Sequence, residues 1–166
     1  MKQVISLFLV AALVCGSTTL VKAQRLVFIY GHGQYNLPVS DNMSNAYQYG
    51  LGAQAGVGVG LGSSFFVGTL GYQNFKGNNN IPNLQLTTAK LGIRKTMLLK
   101  RVFVQLNGGY GNVKTKGATG TEGVFVGDVV IGAKLAGIEL SGSYEGFSQN
   151  GWNSWFGLKA GFHFGL

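Results

Sequence analysis

Few side chains in this 166-residue chain can do ionic chemistry, and their spacing sets several of them against one another. Ala136 and Gly137 suit a two-residue hairpin turn. Folding the chain there places Leu135 against Ile138, Lys134 against Glu139 and Asp128 against Glu145. Two carboxylates on one rung call for a cation between them. Lys90, Arg94, Arg101 and Lys159 fall on the matching face of other alternating stretches. The spacing therefore predicts one cluster of Lys90, Arg94, Arg101, Asp128, Lys134, Glu139, Glu145 and Lys159. Such a cluster is either a relay or ligand site, or a set of charges that satisfy one another. The need of buried charges for partners favours the second, structural role.

Catalysis and metal binding are poorly provided for. A Ser-His-acid hydrolase needs its three groups within hydrogen-bond reach. Neither His32, inside "GHG", nor His163 has an evident serine and acid partner in the sequence. Paired His or Cys spacing for a metal is missing. The glycines near residues 50–62 lack the GK[ST] ending and following helix of a phosphate loop, and they read as small residues facing an interior. Neither an enzyme activity nor a cofactor is expected.

The elements that carry these residues are strands. In "SWFGLKAGFHFGL" the even positions are apolar (Phe156, Leu158, Ala160, Phe162, Phe164, Leu166), and the odd ones are Gly157, Lys159, Gly161, His163 and Gly165. Period two means a β-strand with two unlike faces. "YQYGLGAQAGVGVGL" alternates as strictly, and eight such stretches of about ten residues follow one another, the length of a tilted membrane-crossing strand. "RLVFIYGHGQY" and "SFFVGTLGYQ" are blurred, being apolar on both faces for part of their length. The connections alternate between long and polar ("NLPVSDNMSNA", "NFKGNNNIPN", "NVKTKGATGTE", "FSQNGWNS") and short ("LGSS", "KTMLLK", "AG"), with Pro38 and Pro82 in long ones. This is an up-and-down meander with its long loops at one end.

Alternation alone does not say which face is inside. A lipocalin-like soluble barrel turns its apolar face inward, whereas a transmembrane barrel turns it to lipid. The polar face here is mostly Gly, Gln, Ser and Asn, too poor in charge for a solvated exterior and small enough for a narrow interior. Tyr47, Tyr49, Tyr72, Tyr110, Phe125, Tyr144 and Phe156 sit next to the long loops as an aromatic girdle would, and Trp152 and Trp155 read as anchors at the same rim. An ordered C-terminus also has a reason in a closed barrel, because the last strand must pair with the first: an open edge is not tolerated in lipid.

Composition agrees. Only 11% of residues are charged, against about 25% in soluble domains. The formal charge of +8 is compatible with nucleic-acid binding, but the basic residues are not clustered among aromatics as a nucleic-acid surface requires. Residues 1–23, with Lys2, an apolar run Val4–Val14 and Val21-Lys22-Ala23, read as a secretory signal peptide. The only cysteine, Cys15, lies within it, leaving residues 24–166 as one disulfide-free domain.

With Lys159, Gly161, Phe164 and Leu166 at its end, and the final hairpin "YEGFSQNGWNSWFGLKAGFHF", the chain resembles the small eight-stranded outer-membrane β-barrel family, which includes OmpX-like proteins and the OmpA membrane domain. In that family the terminal pattern is read by the barrel-assembly machinery, and the last position is more often aromatic than Leu166. The resemblance implies an all-β, eight-stranded antiparallel up-and-down transmembrane β-barrel in the cell outer membrane, monomeric, with lipid and the assembly machinery as partners and no nucleic acid. Its expected role is non-enzymatic, in surface structure, adhesion or envelope integrity. A narrow transport or ligand-binding barrel for small apolar molecules is the alternative, and a lipid-modifying barrel enzyme a third.

Overall fold

The alternating stretches become eight antiparallel strands in a computed structural model that describes residues 27–79, 81–98, 101–116 and 120–165. They are β1 (Val27–Pro38), β2 (Tyr47–Leu61), β3 (Ser64–Gly77), β4 (Leu84–Met97), β5 (Val102–Thr115), β6 (Glu122–Leu135), β7 (Ile138–Ser148) and β8 (Trp152–Gly165). One short helix, α1 (Asp41–Ala46), interrupts the β1–β2 connection. Each strand pairs with the next and β1 pairs with β8, so the sheet is a closed barrel. The seam runs from Phe28 opposite Gly165 to Pro38 opposite Trp155. The signal-peptide reading of residues 1–23 and the final Leu166 lie outside the described residues.

The barrel is turned inside out relative to a soluble protein. Phe66, Leu70, Leu91, Leu106, Tyr110, Leu158 and Phe162 are exposed, while Gln54, Gln73, Thr88, Gln105, Asn107, Ser141 and Ser143 are buried. Exposed large apolar residues on every strand and buried polar ones within are the arrangement of a transmembrane barrel. The blurred stretches now have a cause: Phe28, Tyr30, Phe65 and Val67 point inward as a cluster, while Ile29 and Phe66 between them point outward.

The hairpin at Ala136-Gly137 is as tight as expected, with φ +50° and +85° at the two central residues. The register is the expected one: Leu135 opposite Ile138, Lys134 opposite Glu139 and Asp128 opposite Glu145. The strands are longer than expected, 14 residues in five of the eight. The ladder continues past the aromatic row with Lys76, Thr87, Asn112 and Lys114 exposed, residues whose polarity reads as loop. For the same reason Pro38 is the last residue of β1 rather than a loop residue; Pro82 lies in the β3–β4 connection.

The glycine face of β2 makes room for aromatics. A Cβ at Gly58 would lie 2.2 Å from Phe28 Cζ, and one at Gly56 would lie 2.5 Å from Tyr30 Cζ. Phe28 has nowhere to go, since it stacks on His163 with centroids 4.6 Å apart and meets Phe65 edge-on at 5.0 Å. Gly58→Val is therefore expected to destabilise the barrel by about 1–3 kcal/mol. Gly33→Ala, whose Cβ meets nothing within 4 Å, should stay within about 0.5 kcal/mol of the parent. Urea titration of the two folded variants checks the contrast.

Candidate functional site

The interior is layered along the barrel axis. At mid-height, Lys90 of β4 bonds Asp128 of β6 and lies 3.4 Å from Glu145 Oε2 of β7. Lys159 of β8 closes the group at 2.7 Å from Glu145 Oε1. Neutral groups complete it: Asn107 donates to Asp128, Ser143 Oγ to Glu145 at 2.8 Å, and Lys159 to Gln54 Oε1 at 3.3 Å. The two carboxylates that share a rung thus have the cation between them that their spacing demands. Two lysines and two carboxylates, all buried, leave this layer balanced in charge.

Towards the short turns lies a second layer around Glu139. Arg94 grips it with two parallel bonds, Nη1 to Oε2 at 2.9 Å and Nη2 to Oε1 at 3.0 Å, the strongest form of carboxylate recognition. His32 Nε2 and His163 Nδ1 each lie 3.1 Å from the same carboxylate. The guanidinium is caged by rings, 4.0 Å from the Phe103 centroid, 4.8 Å from Tyr30 and 5.0 Å from Phe28, and its Nε donates to Gln105 Oε1 at 2.6 Å.

Towards the long loops the interior is mainly apolar, with Gln73 opposite Leu86 and Asn153 opposite Phe147 as buried polar groups. Phe75, Leu84, Leu86, Val113, Val124, Val126, Phe147 and Trp155 pack together, and α1 lowers Met43 onto them. Ser40, at the N-cap of α1, makes no side-chain capping bond; its Oγ instead accepts from the Ser154 backbone N–H at 3.0 Å, tying the helix to β8.

Six of the eight residues expected in the cluster are thus gathered in two ionic layers: Lys90, Asp128, Glu145 and Lys159 in one, Arg94 and Glu139 in the other. Arg101 is not among them. The ladder stops at Met97 opposite Val102, so Arg101 belongs to the turn and is exposed. Lys134 stands opposite Glu139 in register but is half-buried, with Nζ 3.4 Å from His163 Nε2. The acid that the sequence does not show beside the histidines is Glu139 of β7, which meets His163 on the adjacent β8 and His32 on β1, one strand further round.

Two aromatic assignments also change. Trp152 lies on the outer face, its ring over Gly146, as a rim anchor should. Trp155, three residues along the same strand, must face the other way and is buried in the interior cluster. A register shift between Tyr47 and Tyr49 leaves Tyr49 stacked on Tyr35 at 5.8 Å and turns Tyr47 towards Phe75. Among the described residues no group of three His, Cys, Asp or Glu is placed to hold a metal ion.

No protein-family model and no curated protein sequence matches the chain. Solved structures do. Neisserial surface protein A (NspA) superposes with a TM-score of 0.60 at 13% identity, over 84% of this chain and 97% of that one. Ail, the attachment invasion locus protein of Yersinia pestis, gives a TM-score of 0.55 at 12% identity, over 83% of this chain and 97% of that one. The fold is that of the small eight-stranded outer-membrane β-barrels. At this identity the likeness extends to architecture.

Proposed function

We propose that the protein is a monomeric, non-enzymatic integral barrel of the outer membrane whose lumen is filled by its own side chains, and that it serves at the cell surface in structure, adhesion or envelope integrity. The observation that carries this reading is the pairing of an apolar exterior with an interior occupied along its length: ring-caged Arg94–Glu139, the Lys90–Asp128–Glu145–Lys159 layer, and the apolar cluster under Met43. An eight-stranded barrel has an interior just wide enough for side chains. Glu139, the carboxylate nearest both histidines, is engaged by a bidentate guanidinium, which speaks against its serving as the acid of a hydrolytic triad. The names of the neighbours, an attachment invasion locus protein and a surface protein, fit a role at the surface and supply the adhesion part of the proposal.

The test is electrical. Purified protein inserted in planar bilayers should give little or no steady conductance. Large, stable single-channel steps from the unmutated protein would instead favour a narrow passage.

A further inference from the structure

At the short-turn end the barrel wall carries an apolar groove that runs past Arg94 of the second ionic layer. Leu61 of β2, Phe66 of β3, Ile93 of β4 and Leu106 of β5 wall it with exposed apolar side chains. Its volume of about 490 Å³ falls within the roughly 300–1,000 Å³ range of small-molecule clefts. At its rim Lys95 Nζ donates to Ser64 Oγ at 3.0 Å. Lys95 follows Ile93 by two positions on β4 and shares its outward face, beside exposed Met97 and Leu98. An ammonium on a flexible stem is thus set at the edge of an apolar wall, the placement from which lysine reaches an interface.

Among the described residues, the exposed side-chain charge at this end is of one sign. Of the five acidic residues in the sequence, Asp128, Glu139 and Glu145 are buried in the lumen, while Asp41 and Glu122 belong to the long-loop end. Arg101 adds a second exposed cation to the short-turn rim. The long-loop end is mixed, with Lys76, Lys114 and Lys116 exposed beside Asp41 and Glu122. An occupant that complements the groove must pair a long apolar portion with an anionic head at Lys95 and Ser64.

We propose that this groove is a binding site for an anionic phospholipid, its acyl chain lying along Leu61, Phe66, Ile93 and Leu106 and its headgroup phosphate meeting the Lys95 ammonium and the Ser64 hydroxyl. The proposal rests on the membrane reading above, and its test separates the two. The full chain is refolded into phosphatidylcholine vesicles and into vesicles with equal amounts of phosphatidylglycerol and phosphatidylcholine. Insertion is scored first, by resistance of the compact barrel to unheated detergent electrophoresis. Insertion without any lipid preference overturns the site alone; failure to insert in either vesicle overturns the membrane reading and the site with it.

Lipids retained by the barrel after extraction from the mixed vesicles are then counted by native mass spectrometry. The parent should retain phosphatidylglycerol in preference to phosphatidylcholine, and Lys95→Gln should lower that preference about fivefold, the equivalent of roughly 1 kcal/mol per basic residue at a membrane surface. Lys114→Gln, at the opposite end, should leave it unchanged. An undiminished preference in Lys95→Gln, or an equal loss in Lys114→Gln, overturns the proposal.

Discussion

Replacing Glu139 by glutamine is expected to lower the unfolding free energy of the barrel by about 3–5 kcal/mol, the cost of leaving a buried charge without its partner. Among the described residues Arg94 meets no other carboxylate: it also contacts Gln105 and the rings of Phe28, Tyr30 and Phe103. Ring faces attract a cation with about 0.5–2 kcal/mol each, which softens the loss without replacing a bidentate pair. His32 and His163 lose their shared contact at the same time. Arg94→Met combined with Glu139→Leu removes both charges together and should cost much less than Glu139→Gln alone, since an apolar replacement of a whole buried pair is often near neutral.

Lys134→Ala is the informative contrast. The hairpin register sets Lys134 opposite Glu139, so from sequence its removal looks as if it would strand the carboxylate. In the folded barrel Arg94 holds that carboxylate from across the lumen, and the Lys134 change should cost under about 1 kcal/mol, as for a partly exposed ion pair. Urea titrations of the four proteins, followed by electrophoretic mobility of the folded barrel, decide it. Equal losses in Glu139→Gln and Lys134→Ala would mean that the lumen is hydrated enough to screen Arg94.

That contrast also marks where the sequence stops being legible. Period two assigns a residue to a face, and it assigns Lys90, Arg94, Asp128, Glu139, Glu145 and Lys159 to the same one. It says nothing about partners across the lumen. Lys134–Glu139 is visible because one turn joins the two strands. Arg94–Glu139 is invisible, because it joins β4 to β7, which share no ladder. The contact of His32 with Glu139 is hidden for the same reason, since β1 and β7 share no ladder; that of His163 is hidden because the long β7–β8 connection leaves the register of those two strands open in the sequence, whereas in the barrel Glu139 stands opposite Gly161.

Patterns fail in a different way where both faces are apolar or both polar. β1 and β3 blur because Phe28, Tyr30, Phe65 and Val67 form an interior cluster between outward Ile29 and Phe66. The strand ends are missed because Lys76, Asn112 and Lys114 are polar on the outside, where the strands have run past the aromatic row. Trp155 is misplaced because its polar neighbours read as loop, and a loop has no parity; once β8 begins at Trp152, parity sends the two tryptophans to opposite faces. What β8 and β2 make clear is the closed architecture, and closure is what the C-terminus supplies.

Deleting Phe164 to Leu166 should therefore collapse the yield of folded barrel in refolding as well as in cells. The seam pairs Phe164 with Ile29 and Gly165 with Phe28, and the neighbouring outward residues Ile29, Val59 and Phe162 are exposed apolar side chains of the lipid-facing wall. Without residues 164 and 165, the first residues of β1 keep β2 on one side and face hydrocarbon on the other. Each backbone group left without a partner there costs several kcal/mol, comparable to the whole stability of a domain of this size. Replacing Phe164 and Leu166 by serine keeps the backbone and removes only the apolar side chains. If closure is what the terminus provides, the serine variant should still refold in vesicles while the deletion does not. If the side chains are also the assembly signal that the resemblance implies, the serine variant should fail in cells despite refolding in vitro. Normal refolding of the deletion would show that β1 and β8 do not need those last pairs, and that so regular a C-terminus does not owe its pattern to closing the barrel.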